Sequence, residues 1–401
     1  AVSAAGLNWS DTIITGSTAT VEAGNGYWIN TTSNTCTITL PSSAESGDQI
    51  VLIDYARTWG TNKIIIDSNG LNYQGNDDTY TVEYETDGQS VNIVYSDATK
   101  GWLPLEDDVT ADVPVAPPTQ KAIFGFGSGN VSMTNLVSSS GVVSADVTGV
   151  GSGRATLAAA GYGTDKAIFG YGEIIGNVSL TNLVSNVGVV ATDTTGVGTA
   201  RRFLTATGYG LDKAIFGYGY VSGNVSLTNL VSNSGVVATD TTGVGTARRE
   251  LGAAGYGGDK AIFAYGFNSS DAVVSMSNLV SSSGVVGTDV TGVGTARRYS
   301  AAASYGGDKA IFGYGKTASN VSMTNLVSNT GIVSSDVSGV GTARSNLSAA
   351  SYGGDKAIFA YGDSNLSMSN LVNSSGVVAA DVARVGTDRG RLAAAGYSTS
   401  A

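Results

Sequence analysis

Residues 391–401 read RLAAAGYSTSA, and this tail is the missing front half of another stretch, KAIFGFG at residues 121–127. Elsewhere in the second part of the chain the two halves stand together, as in LAAAGYGTDKAIFGYG at residues 157–172 and LGAAGYGGDKAIFAYG at residues 251–266. The KAIF motif begins at Lys121, Lys166, Lys213, Lys260, Lys309 and Lys356, in steps of 45, 47, 47, 49 and 47 residues. A period of this size marks a propeller, a solenoid or a repeat array. Each copy divides into four short pieces, LAAAGYG, DKAIFGYG, VSLTNLVSN and GVVATDTTGVG, rich in β-branched and aromatic residues and too short for helices. Four strands per copy match a propeller blade. An open array would leave two unpaired sheet edges, whereas in a ring the tail strand completes the first copy and removes them. A solenoid would want atypical polar caps, which do not appear. The reading is therefore an all-β chain whose residues 120–401 form a six-bladed β-propeller, with residues 391–397 completing the blade of residues 121–147.

The composition agrees. Glycine takes 56 of 401 positions, about twice its usual share, as tight turns between many strands require. No apolar run of about 18 residues and no basic-then-apolar start is visible, so neither a membrane span nor a signal peptide is expected. The chain has no histidine and one cysteine, Cys36, which excludes an intrachain disulfide and most zinc, copper or haem sites. No cofactor is expected. Cys36 alternates with threonines in TCTITL and reads as a small core residue.

Charge places a boundary. Residues 1–119 hold 3 basic and 16 acidic side chains (3 − 16 = −13), and residues 120–401 hold 18 and 16 (18 − 16 = +2), together the net −11. Between them Pro114, Pro117 and Pro118 punctuate residues 107–119, a semi-rigid linker by composition. The expected division is a β module over residues 1–106, the linker 107–119 and the repeats 120–401. Neither part carries the basic stripe that nucleic acid requires, so no nucleic-acid partner is expected.

The second part resembles kelch-type propellers, which also place an arginine and a small-residue strand before a strand ending in paired glycines, as in TARRELGAAGYGGDKAIFAYG at residues 246–266. It departs from them in using Gly-Tyr-Gly or Ala-Tyr-Gly for the glycine doublet and in lacking a late tryptophan, since all four tryptophans lie before residue 103. The first part reads as short alternating strands, and its wording is similar to a β-sandwich-like module of tailed-bacteriophage fibres. The stretches that carry the likeness are LNWSDT, GNGYWINTT, TITLPSSAESGDQIVLIDYARTWGTNKIIID and GQSVNIVYSDATKGW, within residues 6–102. The resemblance implies a virion appendage, made in the host cytoplasm and displayed on the particle, that is homotrimeric and contacts other virion proteins.

Two sets of positions change from copy to copy. One follows the second strand: EIIGN from Glu173, YVSGN from Tyr220, FNSSDAV from Phe267, KTASN from Lys316 and DSN from Asp363. The other comes just after the repeated arginine: Ala155-Thr156, Arg202-Phe203, Arg249-Glu250, Arg298-Tyr299, Ser345-Asn346 and Gly390-Arg391. In an up-and-down blade both connections emerge on one side, so Arg202, Phe203, Tyr220, Arg249, Glu250, Phe267, Arg298, Tyr299, Lys316, Asn346 and Arg391 are expected to share a rim. Variation on loops carried by a rigid scaffold suits recognition, and equally suits unconstrained surface.

For the invariant arginines, Arg154, Arg201, Arg248, Arg297, Arg344 and Arg389, two readings stand: a charged ring at the channel mouth holding anionic sugars, or guanidiniums that satisfy backbone carbonyls or a neighbouring aspartate. The repeated aspartates Asp146, Asp193, Asp240, Asp289, Asp336 and Asp381 precede Thr/Ser-Gly turns and are expected to make local Asx-type turns. The tyrosines of Gly-Tyr-Gly are expected to pack, and the NVS asparagines Asn130, Asn177, Asn224 and Asn320 to open strands. No catalytic constellation is visible, because the nonrepeated acids Glu173, Glu250, Asp271 and Asp363 are scattered over different copies. The expected function is adhesion to a host surface glycan or protein, without membrane insertion. The alternatives are a structural virion part or a bacterial surface adhesin.

Overall fold

A computed structural model describes residues 6–105, 120–363 and 366–398. The chain divides into two compact units, one ending at Pro117 and one beginning at Pro118, and the described residues are all-β. The expected linker, 107–119, lies outside the described residues.

In the first unit two sheets close over one core. Strands Asn8–Ile14, Asn25–Ile29, Gln49–Asp54, Ser90–Tyr95 and Trp102–Pro104 lie in that order in one sheet, and Thr18–Thr20, Cys36–Thr39, Ile64–Asp67 and Val82–Tyr84 in the other. The first six strands alternate between sheets, each pairing in parallel with the strand two before it. The last three return antiparallel. Two layers were expected and are present, and over its first six strands the chain coils between them. Period-two alternation tells which side chains face inward, as Ile38, Ile64 and Ile66 do, and carries no direction for the partner strand. Cys36 is buried in this core, as expected.

The second unit contains six three-stranded antiparallel sheets. In sheet two, Lys166–Gly170 lies between Ala158–Tyr162 and Thr181–Val184. Sheet three is Thr205–Tyr209, Lys213–Gly217 and Thr228–Val231; sheet four is Gly252–Tyr256, Lys260–Ala264 and Ser277–Val280. Sheet five is Ala301–Tyr305, Lys309–Gly313 and Thr324–Val327; sheet six is Ser348–Tyr352, Lys356–Ala360 and Ser369–Val372. Sheet one joins Lys121–Gly125 and Thr134–Val137 to the tail strand Ala393–Tyr397. The tail pairs Tyr397 with Lys121 and Ala393 with Gly125, the register in which Tyr162 meets Lys166 and Ala158 meets Gly170. The small-residue strands contact one another in sequence from sheet two to sheet six, and Ala393–Tyr397 contacts both Ser348–Tyr352 and Ala158–Tyr162, so the order returns to its start. Alanine and glycine dominate these strands because converging strands leave little room for side chains.

The fourth piece of each copy differs from expectation. It forms no continuous ladder: in sheet two only Val184–Val190 and Thr181–Thr194 bridge. The sums of the paired numbers change from 374 to 375 between those bridges, so one extra residue bulges out of the outer edge. A bulged, broken edge offers no template for pairing with other chains.

The repeated arginines are fully buried structural fasteners, and the ring of free charge is not formed. Arg248 donates from Nε to Tyr265 O at 2.9 Å, from Nη1 to Thr246 O at 3.1 Å and from Nη2 to Asn278 Oδ1 at 2.6 Å, and stacks on Tyr218 of the preceding sheet at 4.5 Å. The tail repeats this arrangement across the junction: Arg389 donates to Phe126 O at 2.8 Å and Asn135 Oδ1 at 2.6 Å and stacks on Tyr361. The aspartates do not make the expected local turns. Asp289 accepts from the backbone N–H and hydroxyl of Thr246, at 3.0 and 2.6 Å, and from Asn278 Nδ2 at 2.9 Å. Its main partner precedes it by 43 residues, which turn composition cannot show. Gly245 is held at φ +76° there, and a Cβ on it would meet Asn278 and Asp289 at 2.5 Å.

Burial pushes the Asp289 carboxyl up, but hydrogen bonds from Thr246 and Asn278, with the Arg248 charge, hold it below the ordinary 3.8. The other five repeated aspartates are held down the same way. A carboxylate depressed in the folded state stabilises above its unfolded pKa and loses that contribution as pH falls through the folded one. Denaturant unfolding at stepped pH is therefore expected to show stability falling below pH 3.8, with a shallower fall in Asp289→Asn. An unchanged profile in that variant contradicts the assignment.

Candidate functional site

Beyond each buried arginine the chain enters the variable pair. The first member pairs with the loop after the second strand: Ala155 with Glu173, Arg202 with Tyr220, Arg249 with Phe267 and Arg298 with Lys316, while Asp363 N–H donates to Ser345 O. Both variable sets thus lie side by side. The second members, Thr156, Phe203, Glu250, Tyr299, Asn346 and Arg391, all adopt a left-handed backbone with φ between 54 and 62°. They bond to one another: Phe203 N–H to Thr156 O at 3.0 Å, Glu250 to Phe203 O at 3.0 Å, Tyr299 to Glu250 O at 2.8 Å, Arg391 to Asn346 O at 2.9 Å and Thr156 to Arg391 O at 2.9 Å. A run of costly non-glycine conformations, held by mutual bonds, surrounds one mouth of the cycle.

Three neighbouring sheets fill this frame unlike the others. Arg202 lies 5.4 Å from the ring centres of both Phe203 and Tyr220. Arg249 lies 4.9 Å from Tyr220 and from Phe267; Arg298 lies 4.6 Å from Phe267 and 5.1 Å from Tyr299. Tyr299 meets Phe203 edge-on at 6.3 Å, which closes a loop of alternating cations and aromatic rings. Inside the loop Glu250, its side chain 2 % exposed, accepts from Arg249 Nε at 3.0 Å and Arg298 Nη1 at 3.3 Å. Arg202 pairs with Glu173 at 2.6 Å. Burial, then the Glu250 charge, pushes the Tyr299 hydroxyl up to about 12. The equivalent positions in the other sheets carry Ala155, Ser345 and Gly390.

Lys316 joins the rim through its backbone alone among the described contacts, and Asn346 bonds Asp363. Arg391 is exposed and lies close enough to Tyr299 to influence its proton. One contributor was misread and one was missed. Asn224, expected to open a strand, precedes the strand Thr228–Val231 and instead donates to Phe267 O at 3.0 Å and accepts from Arg249 Nη1 at 2.9 Å, so it positions both. Ser300 stands where Leu157, Leu204, Leu251, Leu347 and Leu392 stand in the other copies, and with them lines a cavity of about 80 Å³ under the mouth. That single break in the internal repeat was the available signal.

No known protein family and no curated protein matches this chain.

Proposed function

We propose that residues 120–401 form a six-bladed, kelch-like β-propeller on a virion appendage, and that it is a receptor-binding adhesin. It recognises a host surface glycan or protein through the rim that carries Phe203, Tyr220, Phe267 and Tyr299. The first unit, homotrimeric on this reading, attaches to other virion proteins and multiplies weak contacts through avidity. The observation that carries the proposal is the closed cation–aromatic cluster, confined to three sheets of a scaffold whose other positions repeat almost unchanged. Half-buried aromatic and arginine side chains held on a rigid frame are the usual makings of a binding hot spot.

The test is adsorption of the labelled full chain to bacteria that differ in surface polysaccharide. Replacing Phe203, Tyr220, Phe267 and Tyr299 with alanine is expected to reduce adsorption about tenfold or more, since anchor truncations commonly cost over 1 kcal/mol each. Replacing Lys213 and Lys260 on the opposite turns leaves it unchanged. Equal adsorption by the rim variant overturns the reading.

A second reading, a structural spacer, has its own support. Val142, Val189, Val236, Val285, Ile332 and Val377 occupy equivalent outer positions in the six copies and are each 62–69 % exposed. Such a belt suits lateral contacts to other virion proteins, and then neither variant set affects cells.

A further inference from the structure

Resting on the adhesin reading, we infer that the mouth bounded by Phe203, Tyr299, Ser300 and Arg391 takes the terminal residue of an acidic glycan, a sugar bearing a carboxylate. Charge points there first. Arg249 and Arg298 share the one carboxylate of Glu250, and Lys316 and Arg391 make no ion pair among the described residues. Asp271, on the exposed loop after Phe267, and Asp363, bonded to the neutral amide of Asn346, make no direct ion pair with these cations among the described residues. On the opposite turns, by contrast, Lys166, Lys213, Lys260, Lys309 and Lys356 each lie beside their own aspartate. Lys121, preceded by Gln120, is the exception there. At the rim five cations, Arg202, Arg249, Arg298, Lys316 and Arg391, meet four carboxylates, Glu173, Glu250, Asp271 and Asp363, and the two cations without a direct partner, Lys316 and Arg391, are what an anionic ligand can use.

Two buried polar atoms also lack partners there. Ser300, 6 % exposed, has an Oγ without a hydrogen bond, and it lines the mouth cavity; Arg202 Nε, set between Phe203 and Tyr220, has none either. A buried hydroxyl left unmade is unfavourable unless a ligand or water completes it. The five leucines at the equivalent positions show that the frame accepts an apolar residue, so the serine is not required for closure.

The three features select one chemistry. A bare anion has no use for the aromatic rings, and a neutral sugar has no use for the unpaired cations. An acidic sugar offers a carboxylate to Arg391, hydroxyls to Ser300 and a C–H face to Phe203 and Tyr299. The cavity lies under the mouth and opens outward between Phe203, Tyr299 and Arg391, so a terminal residue enters it end-on.

The test is calorimetric titration of the full chain with sialyllactose and with a galacturonic acid oligosaccharide, each beside its carboxyl-reduced counterpart. At least one carboxylated sugar is expected to bind, with its reduced form about tenfold weaker or more, the usual worth of a charge-assisted hydrogen bond. Ser300→Leu restores the residue of the other copies and is expected to keep the melting temperature while binding about tenfold weaker. Arg391→Gln is expected to lose the preference for the charged form. Absence of binding by every carboxylated sugar, equal binding of the reduced forms, or wild-type affinity in Ser300→Leu overturns the inference. If the wild-type chain still adsorbs to bacteria in that event, the adhesin reading stands alone; if it does not, both fall.

Discussion

A chain ending at Gly390 is expected to lose the cooperative fold of its repeat unit, although it forfeits only eleven residues, 391–401. The missing strand Ala393–Tyr397 is the second neighbour of Lys121–Gly125. Its side chains also serve two cores at once: Ala393, Ala395 and Tyr397 pack with Phe169 and Leu157, while Leu392 and Ala394 pack with Phe124 and Tyr361. Burying Leu392 and Tyr397 contributes about 1.5–3 kcal/mol each, and the backbone bonds about 1 kcal/mol apiece. The total exceeds about 5 kcal/mol, comparable with the whole stability of many domains. Arg389 and its bonds remain in this truncation, so the loss reports the closing strand together with the two Arg391 rim bonds, and not the buried arginine. Thermal melting by circular dichroism reads it, and addition of a peptide of residues 391–401 is expected to recover the transition in part. A truncated chain that melts within about 3 °C of the intact one contradicts closure.

Arg248→Ala and Arg249→Ala, one residue apart, are expected to differ in cost. The first removes three donors from a fully buried pocket, orphans Tyr265 O and Asn278 Oδ1, and leaves a void against Tyr218. Removing one partner of a buried charged network costs about 3–5 kcal/mol. Arg248→Lys recovers little, because one ammonium on a flexible stem cannot serve acceptors spread along the guanidinium fork. Arg249 is partly exposed, and when it is lost the buried Glu250 keeps Arg298, so its loss costs less, about 1.5 kcal/mol. Urea midpoints at pH 7 check both. Near-equal midpoints contradict the division of labour between the repeated arginine and its variable neighbour.

That division was partly legible without coordinates. Repetition set Arg248 apart from its variable neighbours Arg249 and Glu250, since sequence copied six times samples the same environment six times, but left open whether it fastens the frame or holds an anion; its burial decided for the fastener. The tail's role was legible too, because one missing piece and one surplus piece with the same wording imply pairing between them. Asp289 shows the opposite case: Thr and Gly beside it suggested a local turn, whereas its partner Thr246 lies 43 residues earlier. Local composition reports local bonds only.

What the chain's wording settled was the all-β class, three of the four strands in each copy, the count of repeats, the burial of Cys36 and the two sets of positions free to change. These follow from side-chain period and from internal repetition, both properties of neighbouring residues. Tertiary packing settled the parallel ladders of the first unit, the bulged outer edge, and the loop that joins Phe203, Arg202, Tyr220, Arg249, Phe267, Arg298 and Tyr299. Those residues come from three sheets, and the angle at which sheets follow one another sets whether an arginine reaches one aromatic ring or two. The orphaned hydroxyl of Ser300 belongs with them, because a missing partner is a property of everything around an atom.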